Sequence, residues 1–155
     1  MEKSKFKLGD VLQLESEING FVAPETGEKI YEGFLNQNLS IILKYELTEL
    51  SEVLSKERKK VESLRDDLIK KHGEEDERGG IMVKMYLEQK DDEGNVISKV
   101  INPKYVDFDK EYGELLNTEI DVEYPEITKE DLKEAGKSKD KYRVLFRLIK
   151  KEVKE

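Results

Sequence analysis

The apolar positions of this chain change period several times, and each change marks an element. Leu8, Val11, Leu14 and Ile18 recur at helical spacing and predict a first helix over about Lys7–Asn19, stopped at Asn19-Gly20. Phe21–Gln37 carries Pro24, Gly27 and Gly33 and reads as loop, with a small hairpin between Phe21-Val22-Ala23 and Ile30-Tyr31. Then Leu47, Leu50, Leu54, Val61, Leu64 and Leu68 fall at alternating three- and four-residue steps. That stripe predicts one helix over about 40–72, roughly 33 residues and about 50 Å long. Asn38 or Ser40 is its expected cap and Gly73 its end.

A period of two follows. Ile81, Val83, Met85 and Leu87 alternate with polar neighbours, Asp91–Asn95 is a turn cluster, and Val96–Ile101 is the return strand. This hairpin, about 81–101, needs a third strand or a helix over one face, because a lone hairpin is marginal in water. Asn102-Pro103 opens a helix through Tyr105, Phe108, Tyr112, Leu115 and Leu116. Ile120, Val122 and Tyr124 alternate with Glu119, Asp121 and Glu123, a half-buried strand with an acidic outer face and the natural third strand of the hairpin. Thr128 caps a short helix closed at Gly136. Tyr142, Leu145, Phe146, Ile149 and Val153 predict a C-terminal helix over about 140–153, with a strand over Tyr142–Ile149 as the alternative. The architecture is α+β in a single domain, 1–155: a long central helix packed with a small antiparallel sheet, hairpin plus one strand, and shorter helices.

The long helix is expected to pack on its own domain. Leu39, Ile42 and Leu43 widen its apolar face, and Glu57 interrupts the seam that a two-stranded coiled coil would need. Its far end, with the Glu74–Gly80 loop, is expected to reach solvent, and Phe34 and Leu35 to pack beneath its start. Self-association through Leu47, Leu50, Leu54, Val61, Leu64 and Leu68 is the alternative, giving a homo-oligomer.

Composition sharpens the kind of object. Charged residues make up 41% of the 155 and hydrophobic ones 36%, which is polar for a globule but too periodic for disorder. A net charge of -8 argues against a general nucleic-acid binder, which needs a basic surface. There is no cysteine, so neither disulfides nor thiolate metal sites enter. No stretch resembles a signal peptide or a membrane span, so no membrane partner is expected.

Candidate chemistry is sparse. The single histidine, His72, sits where a helix-ending cation is ordinary, and Arg78-Gly79-Gly80 lacks the spacing of a phosphate loop. Neither acidic turn matches a calcium loop: counting back from Gly94 puts Gln89 at the first ligand, and from Gly79 puts Arg78 at the third. No catalytic residue, cofactor site or metal site is assigned. The expected interaction surface is acidic: Glu74, Glu75, Asp76 and Glu77; Asp91, Asp92 and Glu93; and Glu119, Asp121 and Glu123. Such surfaces are steered toward basic partners.

A resemblance adds to this. Gly33-Phe34-Leu35-Asn36-Gln37-Asn38-Leu39-Ser40, Lys44-Tyr45-Glu46-Leu47, the Leu-spaced helix, Leu68-Ile69-Lys70-Lys71-His72-Gly73-Glu74-Glu75-Asp76-Glu77, Asp107-Phe108-Asp109-Lys110-Glu111 and Leu115-Leu116-Asn117-Thr118-Glu119-Ile120 together resemble a family of small phage and prophage proteins of unknown function. In that family a helix ends in a Lys-Tyr-Gly-Glu-like stop and an acidic turn; His72 here replaces the aromatic. The resemblance implies viral origin and the host cytoplasm, or a phage particle assembled there, and carries no active-site residues. The expected function is that of a non-catalytic accessory protein that binds another protein, a host factor being one candidate. The alternative is a virion structural or assembly protein oligomerising through the long helix.

Overall fold

The computed structural model describes residues 1–133 and 142–149. In chain order they form strand β1 (Glu2–Lys7), helix α1 (Leu8–Asn19), strands β2 (Gly20–Val22) and β3 (Lys29–Glu32), a 3-10 turn (Phe34–Asn36) and the long helix α2 (Ile41–His72). Strands β4 (Glu74–Glu75), β5 (Ile81–Met82), β6 (Tyr86–Lys90) and β7 (Val96–Ile101), helix α3 (Pro103–Leu116), strand β8 (Glu119–Tyr124), helix α4 (Lys129–Lys133) and a 3-10 turn (Leu145–Leu148) follow. The fold is α+β, with a long helix and small two-stranded antiparallel sheets. Where the length reads as one domain, the chain divides into two compact units, residues 60–118 being one and the flanking segments together the other.

The discontinuous unit holds the hydrophobic core. Val11, Leu14 and Ile18 of α1, Leu43, Leu47, Leu50 and Leu54 of α2, Phe34, and Phe6 and Val122 from the strands are buried together. Each such side chain contributes roughly 1.5–3 kcal/mol on leaving water. The first half of the Leu stripe is therefore engaged within the chain's own core, along with Leu43; Ile42 is exposed and Leu64 is 47% exposed. The expected cap is Ser40, whose Oγ accepts from the Leu43 N–H at 3.2 Å. Arg58 ties α2 to α1, pairing with Glu15 at 2.6 Å and donating to the Leu12 carbonyl at 3.2 Å and the Ser16 hydroxyl at 3.0 Å.

Two features depart from expectation here. β1 is a strand, and β8 pairs with it antiparallel, Phe6 opposite Ile120, rather than joining the hairpin as its third strand. Within Glu2-Lys3-Ser4-Lys5-Phe6-Lys7 only Phe6 is large and apolar, too little periodicity to announce a strand before its partner is known. Phe6 meets Tyr124 edge to face at 5.9 Å. The β2–β3 hairpin forms as expected, with Phe21 stacked on Tyr31 at 6.1 Å.

The expected C-terminal helix is corrected over its described residues. Residues 142–149 contain a single 3-10 turn, and Ile149 forms a parallel bridge to Ile127, so neither a helix nor a full strand is present; the rest of 140–153 and Gly136 lie outside the described residues. The cause is Glu17. Its buried carboxylate accepts from three successive backbone N–H groups, those of Arg143, of Val144 at 3.2 Å and of Leu145 at 3.3 Å. An α-helix running through these residues would commit the same N–H groups to carbonyls four residues back. Around this grip, Tyr142 donates to the Glu32 carbonyl at 2.8 Å, and burial pushes its hydroxyl up to about 12. Arg143 and Arg147 both reach Asp10, at 3.3 and 3.0 Å, and Arg147 lies 4.3 Å over the Phe6 ring.

In the unit 60–118, Val61 and Asn102 are the only buried residues among those described. The run expected as one strand over residues 81–88 is split. Ile81–Met82 pairs with Glu74–Glu75, and Tyr86–Lys90 pairs with Val96–Ile101. The break falls where Asn102 pins the chain: its side chain donates to the Lys84 carbonyl at 2.8 Å and its N–H to the Met85 carbonyl at 2.9 Å. The Asn102 Oδ1 also accepts from the Lys104 N–H at 3.1 Å, capping α3 with Pro103 in the first turn, as the sequence implies. On α3, Phe108 stacks on Tyr112 at 5.8 Å, and Arg65 of α2 lies 5.9 Å from the Tyr112 ring.

Two outcomes follow from this packing. Burial raises the Glu17 carboxyl above its ordinary 4.5, outweighing the three N–H groups and Arg143 that lower it. The native state therefore binds its proton more tightly than the unfolded chain, so this group's contribution is full below about 4.5 and declines as pH rises through the raised value. Glu17→Gln removes that slope and, because an amide presents one oxygen, leaves at least one donor unmatched. A loss of about 1–3 kcal/mol is expected in urea denaturation, with faster amide exchange at residues 143–145. Gly33 lies against the end of α1, where an added Cβ would sit 2.3 Å from the Ile18 carbonyl oxygen and from the Asn19 carbonyl carbon. Gly33→Ala is expected to cost roughly 1–3 kcal/mol in the same assay, since backbone on both sides must move.

Candidate protein-binding surface

The acidic residues singled out from the sequence fall in three different pieces of structure. Glu74–Glu77 leads through the β4–β5 turn, Asp91–Glu93 forms the β6–β7 turn, and Glu119, Asp121 and Glu123 lie along β8.

The two turns share one construction. The Asp76 Oδ1 accepts from the Arg78 and Gly80 N–H groups at 2.9 and 3.0 Å; the Asp91 Oδ1 accepts from the Glu93 and Asn95 N–H groups at 3.0 and 2.8 Å. Gly79 and Gly94 take the left-handed conformation at φ 81° and 85°, which closes a three-residue hairpin loop. Asp76 and Asp91 thus wind their own turns. Glu74 pairs with Lys104 at 2.6 Å, and that hydrogen bond holds its carboxyl below the usual range.

The acidic outer face of β8 meets a basic one. The register places Lys3 opposite Glu123, Lys5 opposite Asp121 and Lys7 opposite Glu119. Lys3 also reaches Asp121 diagonally at 3.9 Å. Such exposed pairs are worth about 0–1 kcal/mol each, but they cancel much of the field that β8 alone would project.

Acidity survives where β8 approaches α2. Glu49 and Glu52 on α2, with Asp121 and Glu123 on β8, line a groove of about 500 Å³. Among the described residues Lys3 is the one cationic side chain in its wall. Val53 and Met1 supply apolar surface, Val53 being 48% exposed. Four carboxylates around an apolar floor complement a segment that carries Lys or Arg beside an apolar side chain. Sequence reasoning identified Asp121 and Glu123 but passed over Glu49 and Glu52. The signal available was their i, i+3 spacing on the flank of the Leu47–Leu50–Leu54 stripe.

His72 is more than a cation at a helix end. Its Nε2 lies 2.6 Å from Glu111 Oε2, while Lys71 Nζ lies 2.7 Å from Glu111 Oε1, so one carboxylate of α3 takes two side chains from the last turn of α2. The His72 hydrogen bond, then that of Lys71, holds the Glu111 carboxyl below its ordinary value. Lys71 follows Asp67 by four residues, the spacing of a helical ion pair, yet it pairs with Glu111.

Among the described residues no three His, Asp or Glu side chains gather as a metal site, and no helix is long and apolar enough to cross a membrane. Comparison of the chain with protein-family models, with curated proteins and with solved structures finds no match.

The Glu111 arrangement has a defined pH signature. A carboxyl lowered in the native state contributes fully above its unfolded value, 4.5, and that contribution is lost as pH falls through the lowered one. Glu111→Gln is expected to lower the melting temperature near neutral pH, with the difference from the parent chain shrinking progressively below about pH 4.5. A difference that persists undiminished in acid would show that Glu111 acts through packing and not charge.

Proposed function

We propose that this chain is a non-catalytic accessory protein, phage-encoded as its family resemblance implies, that acts by binding a basic segment of another protein, with host proteins as the first candidates. The observation that carries this reading is the groove of Glu49, Glu52, Asp121 and Glu123 over Val53 and Met1. Long-range attraction would bring a basic segment to it, and the apolar floor would hold an aliphatic side chain once the charges are met. The Leu stripe supports this choice over assembly through the long helix. Leu47, Leu50 and Leu54 are nearly fully buried and offer nothing to another subunit.

The test is affinity capture from infected-cell lysate with the parent chain and a Glu49→Lys/Glu52→Lys variant side by side. Both residues are exposed, so the variant should fold as the parent does by circular dichroism. The expected result is a basic protein retained by the parent, released by raised salt, and bound about tenfold more weakly by the variant. Equal retention by both, or a salt-insensitive partner, would overturn the assignment of the groove.

A further inference from the structure

The hairpin β6–β7 has every residue exposed, on both faces, and among the described residues it forms a two-stranded sheet with no strand paired to either outer edge. Tyr86, Leu87, Val96, Ile97, Val100 and Ile101 are each more than 40% exposed on it. A hairpin in this condition is marginal by itself and becomes stable as part of three or more strands.

The two edges are not equivalent. β7 carries a register shift: Gln89 faces Ser98 but Lys90 faces Val96, which leaves Ile97 as an extra residue that kinks the strand. β6 is regular and free of proline, the kind of edge that accepts another strand. An open groove of about 450 Å³ runs beside it, lined by Lys84, Tyr86, Leu87, Glu88 and Lys90.

We infer that β6 is a self-association edge, pairing antiparallel with β6 of a second copy of this chain about a two-fold axis at Gln89. The charge order selects the occupant. Glu88-Gln89-Lys90 read antiparallel to itself places Glu88 opposite Lys90 and Lys90 opposite Glu88, with Gln89 facing its own counterpart on the axis. Antiparallel pairing of a strand with its copy requires the axis to pass through a residue position if the hydrogen-bonding edges are to match. Centring on Glu88 would bring two carboxylates together, whereas centring on Gln89 gives two opposite-charge pairs. The product is a four-stranded sheet, β7-β6-β6-β7, which meets the strand count that the isolated hairpin lacks. The surface is distinct from the acidic groove, and this inference stands apart from the function proposed for it.

Sedimentation velocity over a concentration series tests it with the full chain. The parent is expected to shift from monomer to dimer. Glu88→Lys and Lys90→Glu each place like charges opposite one another at both positions, and each is expected to weaken self-association about tenfold or more. An equimolar mixture of the two single variants restores opposite-charge pairing and is expected to dimerise as the parent does. Circular dichroism melting of each variant shows whether the monomer itself is intact. A parent that remains monomeric at the highest concentration overturns the inference and leaves the β6 edge to a strand of different sequence. So does a dimer indifferent to Glu88→Lys, or a mixture no better than its components.

Discussion

The arrangement of the larger unit depends on one buried carboxylate. Glu17 lies on the core face of α1, next to Ile18 and one turn from Leu14, where a charge is costly unless its oxygens are occupied. The N–H groups of Arg143, Val144 and Leu145 occupy them. Much else follows from that grip. It seats Val144, Leu145 and Leu148 in the core, brings two arginines onto Asp10, and sets Ile149 beside Ile127. An apolar residue at position 17 would bury as well but would leave three donors without acceptors. The carboxylate thus acts as a substitute for the helix that residues 142–149 do not make.

How much of this was legible depends on the range of the interaction concerned. The helices α1, α2 and α3 and their caps at Ser40 and Asn102 were readable, because their periodicity and capping are set by residues within a few positions of one another. The capping box at Thr128 and Asp131 was readable for the same reason. Long-range strand pairing was not: β1 has one large apolar residue, and its significance appears only when Val122 and Ile120 stand beside it. Glu17 left a clue, a carboxylate on the inward face of α1, but its partners lie over 120 residues away. The groove followed the same rule. Asp121 and Glu123 were visible as the outer face of a strand, whereas Glu49 and Glu52 acquire meaning only from the elements that approach them.

The two units also rest on different physics. The larger has a closed apolar core; residues 60–118 are held mainly by directional contacts. These are the Asn102 pin, the Glu111 carboxylate with Lys71 and His72, the Arg65–Tyr112 contact and two aspartate-wound turns. Such contacts fix geometry while contributing modest net stability, so this unit should open at lower free energy than the core. Its turns read as surface charge in the sequence, and they are better understood as the internal acceptors that shape it.

The pairing of β1 with β8 has a consequence for how the chain comes to be made. Synthesis is vectorial, and Glu2–Lys7 leaves the ribosome long before Glu119–Tyr124, while the backbone groups that satisfy Glu17 come later still. Until then α1 presents an apolar stripe with an unanswered carboxylate, and the nascent core is open along two sides. Residues 60–118, stitched by local turns, face no such wait. The segment between the two halves of the core can therefore mature first, and residues 142–149 close the core around α1 afterwards.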